Sequence, residues 1–284
     1  MKPVSFAYHR PRCVHEAVAM LSRFAPEDGR VLAGGQSLVP IMAFRLSRPA
    51  HLVDINPVTE LDRLDDSPEA LRIGALVRHA RFHRPVTKGP LGRLLSIVVR
   101  HIAHYPIRVR GTFCGSVAHA DPASEWCCVT AALGGRMHTL SVRGAREIPA
   151  TDYFKGVMTT ALIPDELLTA VQLPMLPAGT RVGFVEFSRR AGDFALAMAV
   201  VTYGISDGRI AGARIGIGGA EAVPRRIEAA EAAVNGRAPG LAAFRAAAEA
   251  AADAIDPLED VQTDATYRRD LVRALVRRAL EQAA

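Results

Sequence analysis

Arg108-Val109-Arg110-Gly111-Thr112-Phe113-Cys114-Gly115-Ser116-Val117-Ala118-His119-Ala120-Asp121-Pro122-Ala123-Ser124-Glu125-Trp126 sets small residues, hydroxyls and a helix start in one continuous segment. Gly111 and Gly115 let the backbone approach a ligand closely, and Thr112 and Ser116 add hydroxyl donors beside free backbone N–H groups. Asp121 followed by Pro122 reads as an N-cap and a first helical position, which predicts a helix over roughly residues 122–133. A donor-rich loop running into a helix is the outline of a pyrophosphate cradle.

A second stretch of the same character lies upstream: Val31-Leu32-Ala33-Gly34-Gly35-Gln36-Ser37-Leu38-Val39, an apolar run that breaks into a double glycine and then into amide and hydroxyl donors. Either stretch alone is compatible with an ordinary turn after a strand. Two of them in one chain suggest a dinucleotide. Neither fits G-x-G-x-x-G or G-x-x-x-x-G-K-[ST], so the Rossmann and P-loop readings lose support.

Together the two stretches resemble the flavoprotein (medium) subunit of the xanthine dehydrogenase and carbon monoxide dehydrogenase family of molybdenum hydroxylases. That family carries an Ala-Gly-Gly-(His/Gln)-Ser-Leu loop, here residues 33–38. It also carries a Thr-Ile-Gly-Gly-(Ser/Asn)-x-Ala-x-x-Asp-Pro-Ala-x-(Asp/Glu) loop, here residues 112–125. Phe184-Val185-Glu186-Phe187-Ser188-Arg189-Arg190-Ala191-Gly192-Asp193-Phe194-Ala195 is similar to the segment that opens the family's C-terminal domain, and Ala265-Thr266-Tyr267-Arg268-Arg269-Asp270-Leu271 to its closing helix.

The resemblance implies an α+β fold: a two-part FAD-binding domain of the vanillyl-alcohol-oxidase/PCMH type over residues 1–56 and 57–176, then a small α+β C-terminal domain, an antiparallel sheet with helices, over residues 177–284. It implies FAD on this chain, with a molybdenum cofactor on a large partner subunit and two [2Fe-2S] clusters on a small one, in a dimer of heterotrimers. The chain would then be an electron-transfer subunit with no acid–base residue of its own acting on the hydroxylase substrate. A stand-alone flavin oxidoreductase of the same fold and a flavin-free scaffold subunit remain as alternatives.

Carried over residue by residue, the resemblance assigns Leu32, Ala33, Gly34, Gly35, Gln36, Ser37 and Leu38 to the pyrophosphate and ribityl, with Thr112, Gly115 and Ser116 as the opposite wall. It puts Ile102 and small Ala103 near the flavin, and His119, Ser124 and Glu125 follow on the second loop, Glu125 in place of a carboxylate that bonds a ribose hydroxyl. Leu168 matches an apolar contact, and Glu186 and Asp193 lie on a segment that borders the flavin ring. Val185 stands where xanthine dehydrogenases have a lysine. The second loop also departs from the family at Cys114, where a glycine is usual; a position needing positive φ would be strained there. A thiol beside a flavin could be redox-active, although a small buried packing residue is the plainer reading.

Composition agrees with this without deciding it. The chain has 284 residues, 49% of them hydrophobic, and a formal net charge of +6; it is long enough for a substantial core and two or three folding units. Arginine is dispersed and never forms a basic run, so nucleic-acid binding is not indicated. No apolar stretch reaches the ~18 residues of a membrane span, and no signal-peptide core follows Met1-Lys2-Pro3, so a soluble cytoplasmic protein is expected. Cys13, Cys114, Cys127 and Cys128 have neither C-x-x-C nor plant-type cluster spacing, and no disulfide is assigned.

Along the chain the first unit reads strand, helix, strand, helix, strand over residues 4–8, 15–24, 30–33, 38–46 and 51–54. A second unit of strands and helices begins near Leu71, and residues 174–179, with two prolines and a glycine, form the clearest linker. Strands over 195–205 and 209–216 flank an Asp207-Gly208 hairpin turn, and Ala-rich helices follow over 224–234, 241–255 and 266–283. His101 and His104 stand three apart, a metal-ligand spacing on a helix, but with no carboxylate or third ligand nearby. No G-x-S-x-G elbow supports a hydrolase. Arg189-Arg190 with Asp193 reads as a surface ion-pair cluster.

Overall fold

A computed structural model describes residues 2–284. The first unit follows the expected order: β1 (Ala7–His9), α1 (Val14–Phe24), β2 (Gly29–Leu32), α2 (Leu38–Ala43) and β3 (His51–Asp54). Its three strands are parallel, in the order β1-β3-β2. Helix α1 turns Ala17, Val18, Leu21 and Phe24 inward, a helical-period apolar face that explains why this short stretch holds against the sheet. Helix α2 ends earlier than its apolar run suggests, because Arg45 lies in the left-handed region, at φ 60°.

The second unit contains β4 (Leu64–Asp66), β5 (Ala70–Gly74), α3 (Gly89–Val98), α4 (Tyr105–Arg108), α5 (Phe113–His119), α6 (Glu125–Leu133), β6 (Arg136–Ser141), β7 (Gly144–Pro149), α7 (Ala150–Tyr153), β8 (Phe154–Gly156), β9 (Thr159–Thr160) and β10 (Leu167–Pro174). Five of these strands form an antiparallel sheet ordered β4-β5-β10-β6-β7. Its core centres on packed aromatics: Phe113 stacks on Trp126 at 4.7 Å, centroid to centroid, and Phe82 lies tilted against it at 5.2 Å. Such pairs add about 0.5–1.5 kcal/mol beyond the area they bury.

After the linker come β11 (Arg181–Phe187), β12 (Ala197–Ser206), β13 (Arg209–Gly218), β14 (Arg225–Arg226), α8 (Glu228–Val234), α9 (Leu241–Ala254) and α10 (Ala265–Ala283). The antiparallel sheet runs in sequence order, and β12 and β13 meet through Asp207 and Gly208, both at positive φ, as the Asp-Gly signal requires. Alanines of α9 and α10 form a second core with Val201, Tyr203, Ile215 and Ile217 of the sheet. The short strand β14 and the opening strand β11 carry no clear turn or period-2 signal and are additions to the sequence reading. Helix α6 is buried along nearly its whole length and packs on β12 and β13, so the second unit and the C-terminal sheet share one wall. No helix among the described residues is long and apolar enough to cross a membrane.

Candidate functional site

The three-stranded unit and the five-stranded sheet enclose a cleft of about 630 Å³. Twelve of the eighteen expected site residues line it: Leu32, Ala33, Gly34, Gly35, Gln36, Ser37 and Leu38 from the loop after β2, Thr112, Gly115, Ser116 and His119 from around α5, and Leu168 from β10. No backbone bond within the described chain engages the N–H groups of Gly34, Gly35, Gln36 or Ser37, so the loop presents a row of free donors. The two glycine stretches touch. A β-carbon on Gly34 would collide with the Arg110 carbonyl oxygen and lie 2.7 Å from the Gly111 Cα.

Two residues with no motif signal hold this seam. Asn56, just beyond β3, donates from Nδ2 to the Ala33 carbonyl at 2.8 Å, and Arg78 donates from Nη2 to Asn56 Oδ1 at 2.5 Å and from Nη1 to the Arg110 carbonyl. Asn56 and Arg78 thus staple the first loop to the second. Their partners lie 23, 22 and 32 residues away in sequence. The structure adds both to the set that sequence reasoning named.

The second stretch is built differently from a simple loop leading into one helix. Thr112 caps α5, its Oγ1 accepting the Gly115 N–H at 3.0 Å, so that amide is satisfied within the chain rather than free for a ligand. Asp121 is not a helix cap: its Oδ1 accepts the Ala123 N–H at 2.9 Å and its carbonyl accepts the Ser124 N–H at 2.9 Å. This local turn outcompetes helix initiation at Pro122 and delays α6 to Glu125, with Ser124 at the N-cap.

Cys114 lies inside α5, outside the left-handed region, so the missing glycine strains nothing. Its thiol is buried, donates to the Ile73 carbonyl at 3.3 Å and is pushed up to about 12 by desolvation. Burial also pushes Cys127 up to about 12 and raises Cys128. A thiol held so far above neutrality is a poor nucleophile. One thiol per chain, the exposed Cys13, is therefore expected to react with a disulfide reagent in the native protein; rapid labelling of two or more would contradict the packing role of Cys114.

The six remaining expected residues, Ile102, Ala103, Ser124, Glu125, Glu186 and Asp193, lie outside the cleft. Arg108 draws several of them into one neighbourhood. Its guanidinium donates to the carbonyls of Arg100, Ile102 and Ala103 at 3.3, 2.8 and 2.9 Å, bending the turn that places Ala103 at φ 41°. Its charge also reaches Glu125. Burial raises Glu125, with Asp121 adding to the effect, and burial followed by the Glu125 charge raises Glu186. Arg108 Nε, Ser124 Oγ and Glu186 Oε2 are buried with no hydrogen-bond partner. Unpaired buried polar atoms are costly in a folded chain, so this neighbourhood carries an unmet hydrogen-bonding demand.

Asp193 is exposed; its N–H donates to the Arg190 carbonyl at 3.1 Å. The ion pair expected between Arg189 or Arg190 and Asp193 is absent among the described residues. His101 and His104 do not share a helix. His101 meets the Phe184 ring edge-on at 4.9 Å, and His104 is the N-cap of α4 and packs on Gly192. No group of three or more potential metal ligands occurs among the described residues.

The family model described as the FAD binding domain in molybdopterin dehydrogenase matches residues 4–176, and that of the CO dehydrogenase flavoprotein C-terminal domain matches residues 183–283. The chain is 39% identical over 283 residues to the nicotine 6-hydroxylase medium subunit of Paenarthrobacter nicotinovorans, covering 100% of this chain and 99% of that protein. It is 35% identical over 286 residues to the carbon monoxide dehydrogenase medium chain of Afipia carboxidovorans, covering 100% and 98%. Among solved structures, CO dehydrogenase from Hydrogenophaga pseudoflava lacking the Mo-pyranopterin moiety superposes with a TM-score of 0.95 at 34% identity, covering 100% of this chain and 98% of that one. Quinoline 2-oxidoreductase from Pseudomonas putida 86 gives 0.92 at 35% identity, with the same coverage. The chain therefore belongs to the FAD-binding medium subunits of the molybdenum hydroxylase family of oxidoreductases, with the two-part flavin domain and C-terminal domain that define them.

Proposed function

We propose that this chain carries FAD as the electron-transfer subunit of a heteromeric molybdenum hydroxylase, taking electrons from [2Fe-2S] clusters of a small subunit and passing them to an external acceptor. The observation that carries the reading is the cradle: a row of free N–H groups over Gly34 to Ser37, set against the clamped Gly111 seam and opening into a cleft of dinucleotide scale. Bound FAD supplies the chemistry side chains lack, accepting electrons singly and releasing them as a pair.

The chain's own residues bind and orient. Residues 32–38 face the pyrophosphate and ribityl, with Thr112, Gly115, Ser116, His119 and Leu168 across the cleft. Ile102, Ala103, Ser124, Glu125, Glu186 and Asp193 serve the flavin end, a reading supported by the unmet hydrogen-bonding demand of buried Arg108 Nε, Ser124 Oγ and Glu186 Oε2 beside them. The four cysteines lack the spacing that ligates an iron–sulfur cluster, so in this reading the clusters belong to the partner. The full assembly is a dimer of heterotrimers with a large molybdenum-cofactor subunit, in the cytoplasm, and the chain divides functionally at residues 56 and 176.

The test is co-expression with the two partner subunits and flavin analysis of the complex. Noncovalent FAD is expected, freed completely by denaturation. Complex stripped of flavin should still bleach its iron–sulfur absorbance when substrate is added, while electron delivery to the natural acceptor stops. Release of FMN, or undiminished delivery without flavin, would overturn the reading. The stand-alone alternative predicts substrate turnover by this chain with FAD and no partner.

A further inference from the structure

His79 carries no motif signal, yet it sits on the cleft wall at the point where the two glycine stretches meet. Its backbone N–H donates to the Gly111 carbonyl at 3.0 Å, and its ring lies so close to Gly111 that a β-carbon there would stand 2.6 Å from Nε2. On the other side of the ring, Trp126 Nε1 lies 2.9 Å from Nδ1. An indole N–H can only donate, so Nδ1 must be the bare nitrogen and the ring proton must be on Nε2. Desolvation, followed by the charges of Arg108 and Arg78, lowers the imidazole to about 3, which keeps it neutral.

His79 is 4% exposed, and Nε2 has no hydrogen bond to any described residue. A nearly buried N–H donor facing a cleft without a partner is an oriented group awaiting an acceptor. The acceptor that fits its place, beside Gly111 in the cleft that the free amides of residues 34–37 also line, is an anionic oxygen.

We propose that His79 is a cofactor-positioning residue: a neutral imidazole, held in the Nε2–H form by Trp126, that donates to a pyrophosphate oxygen of the dinucleotide in the cradle. The inference rests on the FAD reading above and names a residue that reading does not contain. A neutral donor adds binding without a pH-dependent charge, and Gly111 is required because any side chain there would displace the ring. The arrangement couples the aromatic core to the cradle, since Trp126 also stacks on Phe113, the first residue of α5.

The test uses the full chain freed of flavin, titrated with FAD by fluorescence quenching and with ADP as competitor. His79→Leu is expected to weaken both FAD and ADP by about tenfold or more, the range for losing a hydrogen bond to a charged group. His79→Gln, which retains an N–H donor, should stay within about threefold of wild type, and its affinity should follow the same pH profile as wild type from pH 5.5 to 8, because a neutral histidine adds no titration of its own. Nitrogen-15 spectra of histidine-labelled protein read the tautomer directly: the Nε2–H form before ligand, with the Nε2 shift moving when ADP is added.

Unchanged affinity in His79→Leu, an Nδ1–H tautomer, or wild-type binding that tightens below pH 6 where His79→Gln binding does not would each overturn the proposal. Weakened FAD with unaltered ADP would overturn the pyrophosphate assignment. Should His79→Leu not fold, the tautomer and His79→Gln decide. Failure of the wild-type chain to bind FAD at all would instead remove the reading on which the proposal stands.

Discussion

Gly34→Val should lose FAD affinity by at least a hundredfold, about 2.7 kcal/mol, the largest binding effect expected from any single substitution in the cradle. The new β-carbon meets backbone, the Arg110 carbonyl and the Gly111 Cα, rather than a flexible side-chain end. That backbone cannot yield freely, because Arg78 pins the Arg110 carbonyl and Asn56 pins Ala33 next to Gly34. The seam must part, and the row of N–H groups moves with it. Overpacking of this kind ordinarily costs about 1–3 kcal/mol of stability, so the variant should still fold.

The neighbouring glycine makes a useful contrast. Gly35 has positive φ, 72°, but a β-carbon there would meet only the Leu32 and Val39 side chains, each at 3.2 Å. Gly35→Ala therefore pays mainly the left-handed penalty of about 1–2 kcal/mol in stability. Ser116→Ala, the loss of one hydroxyl, should cost about 0.5–1.5 kcal/mol of binding. FAD titration alongside thermal melting separates these. A Gly34→Val chain that binds FAD within threefold of wild type would show that the seam does not shape the cradle.

Gly34 and Gly111 were legible in the sequence because their signal is local: double glycine, hydroxyls and a cap-forming residue lie within a few positions of each other. The strand–helix alternation of the first unit and the Asp207-Gly208 hairpin were legible for the same reason. What holds the glycines together was not. Asn56, Arg78 and His79 act on partners tens of residues away, 47 in the case of His79 and Trp126, and an asparagine after a strand or an arginine before a short turn carries no mark of its destination.

The misplaced start of α6 has a different origin. Asp121-Pro122 is a sound helix signal, but the Asp121 side chain and carbonyl found closer partners in Ala123 and Ser124, and a local turn won. The delay makes Glu125, rather than Pro122, the first residue of α6.

Glu125 there and Glu186 on β11 lead to the second large effect, on how stability depends on pH. Burial, then the Glu125 charge, pushes Glu186 up to about 9, and burial pushes Glu125 up to about 7, from an ordinary value of 4.5 in each case. A carboxyl whose folded value is raised holds its proton in the native chain where the unfolded chain has lost it. Between pH 4.5 and 9 the native state binds more protons, so this contribution is complete at low pH and drains away as pH rises.

Glu186→Gln removes the group that the native chain must keep protonated up to about pH 9 while the unfolded chain releases its proton near 4.5, and it keeps the shape and polarity of the side chain. The flavin-free variant should melt near wild type at pH 5 and above it at pH 8.5, by the equivalent of about 1–3 kcal/mol, the scale of an uncompensated buried polar group. The histidines that burial lowers titrate identically in both chains, so the difference between the two curves isolates the pair. Parallel curves for Glu186→Gln and wild type from pH 5 to 8.5 would mean that Glu186 ionises without penalty, and that its carboxyl is open to water in a way the buried, unpartnered Oε2 argues against.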